Sequence, residues 1–132
     1  MAITKQQATA LVSKINAAND RFAKRKMVYQ FWRTNCFLAL GYSKLVKCVV
    51  ELLQINESTF YRMLRAEQTA HNVCGNNICD DTLRVLAKLP SKQQKIAWQR
   101  AKTKAKIGHR NPTTNQVKEI VDQLSKDQTY FD

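Results

Sequence analysis

Six side chains with hydrogen-bonding tips recur at helical spacing between Glu57 and Gln68: Glu57, Ser58, Tyr61, Arg62, Arg65 and Gln68. On a helix of 3.6 residues per turn they share one side, and Phe60 and Leu64 fall on the other. The chemistry of the row suits base edges. A guanidinium presents two parallel donors that match O6 and N7 of guanine, which suits Arg62 and Arg65. A carboxamide matches N6 and N7 of adenine, which suits Gln68. Ser43, Lys44, Lys47 and Thr59 lie near predicted helix N-termini, where phosphate oxygens are bound without regard to sequence. Lys92, Lys95, Arg100, Lys102, Lys104, Lys106 and Arg110 can neutralise further phosphates, and a solvated face explains them equally well.

Such a row needs elements that hold it still. Ser43 is expected to cap a helix over about 44–53, and Asn56 to cap a second over about 57–70. Leu53 and Ile55 flank the intervening turn and must be apolar to seal the corner. Val50 is expected where the second helix crosses the first. Together, residues 44–68 read as a helix-turn-helix, whose second helix offers its outer row to the major groove. That turn usually carries Gly where this chain has Gln54, which implies backbone strain or a different turn.

Elsewhere the pattern is helical too. Thr4 and Gln7 form a capping-box pattern ahead of a stripe of Ala8, Leu11, Val12, Ile15, Ala18 and Phe22. The basic run Lys24-Arg25-Lys26 follows, then an aromatic-rich helix over 27–40 closed by Gly41. After a linker at 74–81, Asp80 or Asp81 caps a helix bearing Leu83, Leu86 and Leu89. Ser91 and Gln94 open the next, with Ile96, Trp98 and Ala101 inward and Gly108 at its end. Pro112-Thr113 and Gln116 start the last, whose stripe is Val117, Ile120, Val121 and Leu124. The expected fold is all-α: N-terminal helices and the motif over 1–73, a bracing three-helix part over 82–124, and a frayed tail over 125–132. Trp32 and Trp98 are expected in the core.

The 132 residues carry a net charge of +12, and the charge is unevenly placed. Asp20 is the only acid before Glu51, and none lies between Asp81 and Glu119, where nine Lys and Arg residues from Arg84 to Arg110 stand. Two such blocks favour a polyanionic partner. No stretch is long and apolar enough to span a bilayer, and the N-terminus lacks the order of a signal peptide. The expected compartment is therefore the cytoplasm, with association to the nucleoid. Cys36, Cys48, Cys74 and Cys79 are then expected as free thiols. His71, Cys74 and Cys79 lack a fourth ligand at zinc spacing, so neither metal nor cofactor is expected. The adjacent carboxylates Asp80 and Asp81 are explained by helix capping. With no phosphate loop and no nucleophile beside a base, the sequence reads as a binding protein, not an enzyme, with no small-molecule substrate.

Three patches resemble one family. LALGYS at 38–43 with QINESTFYRMLRAE at 54–67, TLRVLAKLPSKQQKIAW at 82–98 and PTTNQV at 112–117 are similar to plasmid and phage helix-turn-helix proteins related to the ParB/KorB group. The resemblance implies a DNA-binding module in which the helix after Asn56 contacts bases and the helices after Asp80 brace it or touch the backbone. The Arg-rich nucleotide-binding motifs of full ParB proteins have no counterpart here, so nucleotide hydrolysis is not carried over. The expectation is a sequence-specific binder of double-stranded DNA, a transcriptional regulator or a plasmid or phage maintenance factor. The rival is a protein-interaction adaptor or accessory subunit of a nucleoprotein complex, and RNA binding is a third reading. A homodimer is open, with the 27–40 segment or the N-terminal helix as its interface.

Overall fold

The computed structural model describes residues 3–75, 77–105 and 111–131. Helices dominate, and no strand occurs among the described residues. The elements are α1 (Lys5–Ala17), α2 (Arg21–Arg33), α3 (Cys36–Ala39), α4 (Leu45–Cys48) continuing as a π-helical segment Val49–Leu53, α5 (Glu57–Val73), α6 (Asp80–Leu86), α7 (Ser91–Ala105) and α8 (Thr114–Phe131). No described helix is long and apolar enough to cross a membrane. Two compact units divide between Glu67 and Gln68, inside α5, whereas the sequence places its break after Val73.

In the first unit, α1 opens with the expected capping box. The Gln7 N–H donates to the Thr4 hydroxyl, and the Thr4 N–H donates to the Gln7 carboxamide. Ala8, Leu11 and Ile15 are buried and Val12 is half-buried, but α1 stops at Ala17. Phe22 therefore belongs to α2, which starts six residues earlier than the expected Met27 because Asp20 accepts the Phe22 N–H at 3.1 Å. The expected 27–40 helix is also broken. Thr34 ends α2, and Asn35 takes a left-handed conformation, φ 55°, that Asn tolerates better than most residues. Gly41, φ 88°, closes α3 as expected. Its N–H bonds to the Leu38 carbonyl and that of Tyr42 to Phe37, a Schellman pair. Trp32 is 40% exposed, against the expectation that it sits in the core. It stands in the last turn of α2, where the helix is about to end, and pairs with Tyr29, ring centroids 5.6 Å apart. The core joins Ala8, Leu11 and Ile15 to Val28, Phe31, Cys36, Cys48 and Val49, and to Leu53, Ile55, Phe60 and Leu64.

In the second unit, α6, α7 and α8 pack on one another. Val117, Ile120 and Val121 are buried from α8 and Leu124 is half-buried, as the stripe predicts. From α7, however, Ala97 is buried with Trp98 and Ala101, whereas Ile96 is 47% exposed. Ile96 lies 100° around the helix from Ala97, which takes the inward slot. Thr113 and Gln116 form the expected capping box on α8. The other two caps differ. Cys79, not Asp80 or Asp81, is the N-cap of α6, and both acids sit in its first turn. The Pro90 carbonyl accepts the N–H groups of Gln93 and Gln94 at the start of α7. Gln94 is buried, bonding the Leu89 carbonyl and the Asn72 amide, so it makes no box with Ser91. The helix α8 runs on to Phe131, through the expected frayed tail. Gly108 lies outside the described residues.

Candidate nucleic-acid interface

The turn before α5 begins in the π-helical segment. Cys48, Val49 and Leu53 take its inward positions. Val50, expected against the second helix, is 48% exposed, because it falls off the side that Cys48, Val49 and Leu53 bury. Lys44, not Ser43, is the N-cap of α4, and it makes no side-chain capping bond. Gln54 then adopts φ 55°, ψ 37°, the left-handed region that favours Gly. A non-Gly residue pays about 1–2 kcal/mol there. Leu53 at 2% and Ile55 at 6% exposure lock both neighbours in the core and hold the strained link in place.

After the turn, the Asn56 carboxamide oxygen accepts the Thr59 N–H at 2.8 Å, and its carbonyl accepts the Phe60 N–H at 3.0 Å. Those are the cap and the first helical bond expected of Asn56. Phe60 is fully buried and Leu64 nearly so, which fixes the rotation of α5 about its axis within the first unit. Glu57, Ser58, Tyr61, Arg62 and Arg65 are consequently all exposed. The Tyr61 ring meets the edge of Phe60 at 5.3 Å, so this partly exposed aromatic is braced from below. Glu57, in the first turn, suits the positive end of the helix dipole. Gln68 lies beyond the division of the units. It is exposed, and its amide donates to Asn72 at 3.1 Å.

Ser43, Lys44 and Lys47 are exposed, with Lys44 and Lys47 three residues apart at the start of α4. Thr59 is half-buried and its N–H is taken by Asn56.

The basic set of α7 does not share one face. Lys92, Lys95 and Lys102 fall on one flank at helical spacing, and Arg100 and Lys104 on the other. That second flank borders α8: Arg100 and Lys104 line a shallow hollow with Thr103 and Ile120, and Lys104 Nζ lies 3.7 Å from Glu119 Oε1. Lys106 and Arg110 lie outside the described residues.

One pair in the first unit escaped the sequence reading. Arg25, read there only as part of a basic run, is 2% exposed, and its Nε donates to Glu67 Oε2 at 2.9 Å. Its guanidinium also lies over the Phe22 ring at 5.5 Å. The pair ties α5 to α2 under the candidate interface. The signal was present: Arg25, Val28 and Phe31 follow at i, i+3 and i+6 once Asp20 is taken as the helix start.

Among the described residues no group of three or more His, Cys, Asp and Glu side chains could hold a metal ion. No known protein family, curated protein or solved structure is matched by this chain.

Proposed function

We propose that the chain is a sequence-specific duplex DNA-binding protein. In this reading α4 with its π-helical extension, the turn at Gln54 and the first turns of α5 act as a helix-turn-helix. One observation carries the proposal. Five side chains able to read base edges or phosphates lie exposed along α5, directly after a capped tight turn, while Phe60 and Leu64 fix the opposite side. Arg62 and Arg65 supply guanine-type donors, and Tyr61 supplies a braced hydroxyl and an apolar ring edge. Ser43, Lys44 and Lys47 grip the adjoining backbone. A role in transcriptional regulation or in plasmid or phage maintenance, with nucleoid association, rests on the ParB/KorB-like segments alone.

The test is selection of bound duplexes from a random pool, followed by Arg62→Ala on the winning sequence. A bidentate guanine contact predicts a loss of about 1–3 kcal/mol and relaxed preference at one base pair, with an unchanged melting temperature. A pool that yields no preferred sequence sinks the proposal. The adaptor reading draws on Leu38 and Val50, which are 59% and 48% exposed in the first unit. It predicts that Arg62→Ala changes nothing in duplex binding.

A further inference from the structure

A groove of about 680 Å³ lies between α1 and α2, away from the residues assigned to DNA above. Leu11 and Met27 form its floor, with Ile3 at one end, and the small side chain of Ala10 leaves it open. Ile3 and Met27 are half-buried against the core, so the floor is continuous with a packed interior. Its rim is polar, from Gln7 and Lys14 on α1 and Gln30 and Thr34 on α2. The lining of α1 runs from Thr4 to Lys14, a helical rise of about 15 Å, which matches about three turns of a second helix.

Charge identifies the occupant. Neither α1 nor α2 contains an acidic residue, and Asp20 between them is engaged as the cap of α2. Lys14 is the cation in the lining, on the α1 side, opposite Gln30 on α2, and the exposed Arg33 stands at i+3 from Gln30, beside the groove. A second copy of this chain fits poorly, because a two-fold contact would set the same cations against each other. A nucleic acid would meet the cations but leave Leu11 and Met27 against its sugar-phosphate backbone. An amphipathic helix satisfies both parts, its apolar anchors entering an apolar groove and its charged flanks meeting the rim. Met27, flexible and polarizable, can adapt to anchors of differing shape.

We infer that the α1–α2 groove docks an acidic amphipathic helix of a partner protein. Apolar side chains at i, i+3 or i+4, and i+7 cover Leu11 and Met27, and flanking carboxylates meet Lys14 in the rim and Arg33 beside it. This inference does not depend on the DNA-binding proposal.

The test uses the full chain and a fluorescein-labelled 14-residue helical peptide with Leu at those spacings and Glu elsewhere, read by anisotropy. Saturable binding is expected, with none for the same peptide carrying Lys in place of Glu. Lys14→Glu combined with Arg33→Glu should weaken binding at least tenfold, and Ala10→Phe, which fills the groove, should do likewise. The helical circular dichroism melt should stay unchanged in both, since all three positions are exposed. Arg62→Ala should leave peptide binding intact whether or not it alters duplex binding, which separates the two proposals. No saturable binding, or binding indifferent to the charge reversals, overturns the inference. Displacement of the peptide by random duplex would make the groove a nucleic-acid contact instead. A dimer in sedimentation that Lys14→Glu dissociates would assign the groove to a second copy.

Discussion

The exposed rows of α5 and α7 are both cationic, yet they are built differently. On α5, Arg62 and Arg65 share their side with Glu57, Ser58 and Tyr61, and two buried residues set the rotation of the helix. On α7, Lys92, Lys95 and Lys102 form one flank with no comparable mixture of groups, and the other flank is drawn toward an acid on α8. Discrimination among bases requires varied groups at fixed positions, whereas attraction to phosphate requires only charge. A net charge of +12 is therefore compatible with two unlike tasks.

The largest expected effect concerns this division. If the exposed cations meet about 6–10 phosphates in the bound complex, affinity should drop roughly a thousandfold or more between 50 and 200 mM salt. Replacing Lys92, Lys95 and Lys102 by Gln should flatten the slope and lower affinity for specific and random duplexes alike. Lys104→Gln should matter less, because Glu119 already sits beside that ammonium. An unchanged slope in the triple variant would confine DNA contact to the first unit.

The two units also differ in how their helices are tied. The second uses neutral hydroxyls between α6 and α8, with Thr82 and Thr114 oxygens 2.8 Å apart, and the first uses the buried Arg25–Glu67 pair. Removing one partner of a buried ion pair strands the other charge. Glu67→Ala should therefore destabilise by about 3–5 kcal/mol in urea denaturation. Thr114→Val should cost about 1 kcal/mol by the same measurement. Near-equal losses would mean that the Arg25 guanidinium finds water or another partner when Glu67 is gone.

The thiols divide in the same direction. Burial pushes both Cys36 and Cys48 up, the latter to about 11 with help from Cys36 and Glu51. At Cys79 burial also pushes upward, but hydrogen bonds from Thr82 and Thr114 outweigh it and leave the thiol below its ordinary value. A raised folded-state value means that the native state keeps a proton the unfolded chain has lost. The stabilisation present below pH 9 should thus decline as pH rises toward 11, and Cys48→Ala should remove part of the decline. Iodoacetamide at neutral pH should label Cys79 well before Cys36 or Cys48. Mass spectrometry of the labelled peptides reads the order.

Much of the fold was legible because local rules and packing agree. Thr4 with Gln7, Asn56, and Thr113 with Gln116 cap the helices they were expected to cap, and the stripes of α1 and α8 are buried. The failures fall where a neighbour decides the outcome. Charge alone reads Arg25 as part of a basic run, and the Glu67 carboxylate, arriving from 42 positions away, helps make its burial tolerable. Asn35 breaks an aromatic-rich run that periodicity treats as continuous. Ile96 is a miss of another kind: it stands about 200° around α7 from Trp98, so helical spacing alone could have given the inward place to Ala97. At the candidate interface, the outward row was legible because it is the complement of Phe60 and Leu64. The splitting of the α7 cations was equally open to helical geometry, but Lys104 meeting Glu119 was not.

The smallest effect tests whether the turn is what makes the α5 row different from the α7 row. Gln54 at φ 55° bears a strain that Leu53 and Ile55 hold in place. A β-branched residue tolerates that region less well than Gln, so Gln54→Val should destabilise by about 1–2 kcal/mol. Gln54→Gly removes the strain but loosens the unfolded chain, and the two contributions are each on the order of 1 kcal/mol with opposite sign. Stability should therefore move little with Gly. The informative readout is binding. If the turn only connects two helices, both variants should keep their duplex affinity once folded. If it sets the angle at which Arg62 and Arg65 approach the bases, Gln54→Val should lose affinity for the selected duplex and keep its affinity for random duplex. Gln54→Gly should match the wild type on both. Loss on both duplexes in parallel would place the turn's role in stability alone, and the contrast between the two rows would then rest on their side chains and not on their mounting.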